Sequence, residues 1–179
     1  MNKALPADLL LDKMKGSGYD IRSRKCRVLD FGQPDKRKQI LKFFIRCQPK
    51  SGSMRTHMAY IKYLKGNIPL GRQALEMHCT CESWQFQGTA YIATRQKFAL
   101  FSREQRYPHI RDPHLQHFLC KHLIHILSHT HRRTPNALIE ARTKMSRTTS
   151  PRHITPDTKL TTPTKPINQK KRPKMKRKK

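Results

Sequence analysis

The sequence predicts an α+β fold: a small antiparallel β-meander with helices clamped to it, followed by a disordered basic C-terminal arm. Three observations carry this reading. Between residues 27 and 79, apolar and polar residues alternate with a period of two, in runs separated by turn residues. Beyond residue 83 the apolar spacing changes to three and four. After Thr134 the chain keeps its charge and loses its core-formers. A hydrophobic fraction of 35% in 179 residues fits one domain of modest core plus a tail.

Taken in order, residues 5–15 set Leu5, Leu9, Leu10, Leu11 and Met14 at helical spacing between Pro6 and Gly16, which predicts a short amphipathic helix packed on the domain. Residues 27–31 form a first strand. In the second, Leu41, Phe43, Ile45 and Cys47 share one face, with Lys42 and Arg46 on the other. Strands over 58–64 and 74–79 follow, with turns at 49–52 and around Gly66, Asn67, Pro69 and Gly71. Ser83 is placed to cap a helix from Trp84 to about Gln96 that turns Trp84, Tyr91 and Ile92 inward, with Gly88 an unfavourable residue inside it. Asp112 as N-cap and Pro113 at the first position open another helix. Its Leu115, Phe118, Leu119, Leu123, Ile126 and Leu127 make one apolar stripe up to about His131. The expected organisation is an N-terminal helical segment over 1–25, a metal-binding α+β domain over 26–131 and a basic, proline-containing disordered tail over 132–179.

Cys79 and Cys81 end the meander, and on an extended backbone residues two apart point to the same side. After a gap of 38 residues come Cys120 and His122. Three thiols and an imidazole arriving in two close pairs are what a tetrahedral zinc site needs, so a structural Zn²⁺ held by Cys79, Cys81, Cys120 and His122 is expected. Its net charge of −1 would be offset by Lys121 and a helix N-terminus. One conflict arises with the apolar stripe. Inside a helix, residues two apart diverge by about 200° and cannot share a metal. The helix is therefore expected to break before Cys120; the alternative is that His117 pairs with Cys120 instead. His125 and His129 share a helical face with His122 and are read as bordering the stripe, and His78 points to the other side of its strand. Cys26 and Cys47 are left over and read as structural thiols. Five cysteines, three of them at ligand spacing, fit a reducing compartment better than a disulfide framework.

Cys-x-Cys at a strand end, a variable gap and Cys-x-His leading into an apolar helix resemble the SWIM-type zinc finger, over roughly residues 40–130. That likeness implies association with nucleic acid. A closer likeness is to small zinc-binding virion structural proteins of large tailed bacteriophages, carried by Cys79, Cys81, Trp84, Pro108, Asp112, Pro113, Cys120, Lys121 and His122. It implies a place in a particle, as a head or neck component, and no catalytic activity.

Catalytic signatures agree with a non-enzymatic reading. The chain contains no Gly-x-Ser-x-Gly, Walker loop or His-Glu-x-x-His, and neither half of the zinc deaminase signature. Glu82 beside Cys81 is the one candidate base for a metal-dependent nuclease, and a closed four-ligand site leaves no position for the water.

Charge points to the partner. Lys and Arg number 39 against 11 Asp and Glu, a net +28, which implies a polyanion. From Arg132 onward there are 16 Lys and Arg, two acids, six prolines and no aromatic residue. The run Lys170, Lys171, Arg172, Lys174, Lys176, Arg177, Lys178 and Lys179 is expected to contact the phosphate backbone without sequence preference, through counterion release. Tyr107 among Arg103, Arg106 and Arg111 could stack on a base, but is read as an aromatic packed on the sheet. The expected partners are nucleic acid and other subunits of a large assembly, with no membrane, since no apolar run of about 18 residues exists. The protein is expected to be virion-borne or intracellular and not secreted. A free SWIM-type DNA-binding module and a basic protein of a ribonucleoprotein particle are the alternatives.

Overall fold

The computed structural model describes residues 5–16, 26–34, 37–48, 53–101 and 104–148. The chain divides into two units, Met1–Thr149 and Ser150–Lys179. The second unit lies outside the described residues, and with it the eight cations between Lys170 and Lys179 that sequence assigns to nucleic acid.

The meander is present as expected. Strands β1 (Cys26–Gly32), β2 (Ile40–Cys47), β3 (Thr56–Lys62) and β4 (Glu76–Cys79) form one antiparallel sheet in the order β1-β2-β3-β4. Alternation sets the register. Phe43 stands opposite Ala59, and Ala59 opposite Cys79, so buried residues meet across three strands on one face. A slip of one residue would turn that whole set to solvent. Helix α1 (Ala7–Gly16) belongs to the core, with Leu10 and Met14 fully buried and Pro6 bridged to Ala74.

Four sequence expectations are corrected. The helix from Trp84 to Gln96 is two helices, α2 (Glu82–Phe86) and α3 (Thr89–Arg95), with Cys81 and not Ser83 at the first cap. Gly88 separates them at φ +82°, where a Cβ would also meet Pro108 at 2.9 Å. The apolar stripe after Asp112 is helical only in its second half, α4 (Lys121–Thr130). Asp112 caps a loop: its buried carboxylate accepts the backbone N–H groups of Gln116 (2.8 Å) and His117 (3.0 Å), while Leu115 sits at φ +52°. Residues after Arg132 are not all tail, because Pro135–Thr148 forms α5. The Thr134 hydroxyl accepts the Ala137 N–H, Pro135 starts the helix, and Leu138 is buried with Ile139 packed beside it. Averaging composition over the whole basic region hid this one apolar edge. Finally, Cys26 and Cys47 are not thiols. They stand directly opposite each other on β1 and β2 and form a disulfide.

Candidate metal centre

The four predicted ligands come together, each placed by the end of an element. Cys79 is the last residue of β4, and the strand end is held because Thr80 and Met58 exchange hydrogen bonds, Thr80 N–H to the Met58 carbonyl and Met58 N–H to the Thr80 hydroxyl, both 3.0 Å. Cys81 is still extended at φ −82°, ψ 152°, so its thiol falls on the same side as that of Cys79. Its sulfur accepts the Trp84 N–H at 3.3 Å, which makes it the N-cap of α2.

Cys120 resolves the conflict noted in the sequence. It is extended at φ −77°, ψ 160° and caps α4, so only His122 lies on helical backbone and the two side chains converge. The helix N-terminus beside Cys120 and the neighbouring Lys121 favour negative charge at this point.

The ligand atoms of Cys79, Cys81, Cys120 and His122 all lie within 4.8 Å of one another, and all four residues are buried. His122 Nδ1 is 3.8 Å from Cys79 Sγ. Zn–S bonds of about 2.3 Å in a tetrahedron give ligand spacings of about 3.8 Å, so the donor set has the size and chemistry of one metal site. The cluster could hold a metal ion.

The three thiols are coupled through one another. Hydrogen bonds from Cys120 and then Cys79 pull the Cys81 thiol far below its usual range. Burial, together with hydrogen bonding to Cys79 and Cys81, pushes Cys120 well above it. At Cys79 a hydrogen bond with Cys120 works downward but is outweighed by Cys81 and by burial, so its thiol is raised. Three buried thiols packed this closely oppose one another's ionisation, and a cation among them would favour the thiolates. His122 Nε2 is buried with no hydrogen-bond partner among the described residues.

The other candidates stay out. His117 Nδ1 lies 3.2 Å from the Asp112 carboxylate, so it is not the partner of Cys120. His78 occupies the opposite face of β4, as expected. The rings of His125 and His129 lie 4.3 Å apart, tilted by 41°, outside the cluster. Glu82 is exposed and ion-paired with Arg55 at 3.4 Å. Tyr107 does not pack on the sheet: its ring meets Tyr91 edge-on at 5.4 Å and its hydroxyl donates to the Pro113 carbonyl. Sequence reasoning missed His57, whose ring lies 4.6 Å from that of His122 and whose pKa is lowered by burial and then by His122. Its alternation with Ala59, opposite Cys79, was the available signal.

Comparison of the chain with protein-family models, with curated proteins and with solved structures returns no match.

Proposed function

We propose that this protein is a non-enzymatic, zinc-stabilised structural component of a nucleic-acid-containing assembly, which it contacts through its basic C-terminal chain. The observation that carries the reading is a closed, fully buried set of four ligands in a chain of net charge +28. Three sulfurs and one nitrogen with no carboxylate favour zinc over magnesium, calcium or manganese, which prefer oxygen. Four protein ligands occupy a tetrahedral ion completely, so its role is to hold β4, α2 and α4 together. The zinc module and its resemblance to SWIM-type fingers and to bacteriophage virion proteins favour a particle, such as a phage head or neck, as the assembly.

Binding in this reading is counterion release. Deleting residues 166–179 removes eight cations. Electrophoretic titration of duplex DNA against salt should then show weaker binding, with the log–log slope flattened by up to about 7 for eight lost contacts, while bound zinc is unchanged. An unchanged slope would assign the arm to protein neighbours instead. Sedimentation of the native protein with a particle tests the assembly itself.

A further inference from the structure

One face of the sheet is covered by α4; the other carries rings and cations. The register puts Arg27 opposite Arg46, Lys42 opposite Tyr60, Phe44 opposite Met58 and Tyr60 opposite His78, on the side away from the core. The segment after α3 widens this face. Met77 N–H donates to the Phe98 carbonyl and Leu100 N–H to the Met77 carbonyl, which brings Phe101 edge-on to Tyr60 at 5.2 Å and to His78 at 5.4 Å. Phe101 is 57% exposed and Phe86 61%. A cleft of about 270 Å³ opens beside them, lined in part by His78, Trp84, Phe86 and the ion pair of Glu104 with Arg106 at 2.8 Å. Neither His78 Nδ1 nor Trp84 Nε1 has a hydrogen-bond partner among the described residues.

Charge identifies the occupant. Like charges directly opposite in a sheet are unfavourable, and Arg27 opposite Arg46 is such a pair; the Arg46 guanidinium donates to the Thr56 hydroxyl at 3.0 Å, and an anion on this face would relieve the repulsion. Lys42 Nζ lies 4.7 Å over the Phe44 ring and 5.6 Å over that of Tyr60, so cation and ring are offered at one place. The acids of these rows are already tied, Glu76 to Lys62 at 3.0 Å and Asp30 to Arg142 at 3.2 Å. A second copy laid on this face would set cations against cations, and the chain's own arm is also basic. Phosphates spaced between flat bases meet both features: rings for stacking, cations for the backbone.

We propose that this open sheet face binds single-stranded nucleic acid, with bases stacked on Phe44, Tyr60 and Phe101 and phosphates held by Arg27, Lys42 and Arg46. The inference rests on nucleic acid being the partner, and differs from the arm in surface and in chemistry, since stacking needs unpaired bases and the arm needs only phosphates. The full chain is titrated at raised salt with short fluorescent strands of deoxythymidine, of uridine and of abasic sugar-phosphate, and with a duplex. Strands with bases should bind more tightly than the abasic one, the two sugars separating DNA from RNA. Phe101→Ala and Tyr60→Ala should each reduce that preference roughly tenfold and leave duplex binding alone. Bound metal and the circular dichroism spectrum report folding; should an alanine variant not fold, Phe101→Leu keeps the apolar volume and removes the ring. No preference for bases, or a preference unmoved by the variants, overturns the proposal. So does a dimer in sedimentation that Phe101→Ala breaks without any base preference. Poor duplex binding by the unaltered chain with the base preference retained would overturn the reading of the arm and uphold this one.

Discussion

At the scale of residues, the cluster is defined by which backbone each ligand stands on. Cys81 and Cys120 are both extended cap residues, and that is why sulfurs two positions from Cys79 and His122 can share an ion. Serine offers no thiolate, so Cys79→Ser or Cys120→Ser should release the metal. The loss removes a contribution of about 10–16 kcal/mol, larger than the stability of an ordinary small domain, and a cooperative melt should vanish with it. Zinc content and thermal unfolding measure this; a variant that keeps one ion per chain and melts cooperatively would refute the ligand set. The raised thiols of Cys79 and Cys120 fix the sign of the pH dependence. Metal binding must displace their protons, so uptake should release protons and affinity should fall as the pH is lowered. Calorimetry in buffers of different ionisation enthalpy counts those protons, and a count near zero would mean the thiols are already ionised.

Among the elements, the strands were legible and the helix boundaries were not. Strand β2 reads directly from Leu41, Phe43, Ile45 and Cys47, because a period of two has one burial solution on a one-sided sheet. The stretch from Leu115 to Leu127 is apolar at helical spacing throughout, yet only its second half is helical. A buried Asp112 holding two backbone N–H groups wins over local periodicity in the first half. Helix α5 was concealed for the opposite reason, since its apolar contacts, Leu138 and Ile139, are diluted by cations. Leu138→Ala should lower stability by about 2–5 kcal/mol if α5 is part of the folded unit, read from denaturant midpoints. A cost within error would make α5 a bystander. Between α2 and α3, Gly88→Ala should cost about 1–2 kcal/mol from the left-handed backbone alone, with the contact to Pro108 adding to it.

For the whole molecule, the proposed metal would make binding and folding linked equilibria. A ligand that binds only the folded chain raises stability with its free concentration, so the melting temperature should climb with added zinc and drop on chelation. A melt indifferent to chelator would separate the cluster from stability. The amino-acid sequence by itself determined the meander, the identity of the four clustered residues and the excess of positive charge, because alternation, ligand chemistry and net charge are local or additive properties. The sequence also anticipated the break before Cys120, while only the tertiary structure decided that Cys26 meets Cys47 and that rings and cations share one open face of the sheet. Each of these depends on which distant residues are brought together, and so on packing and register that no local pattern encodes.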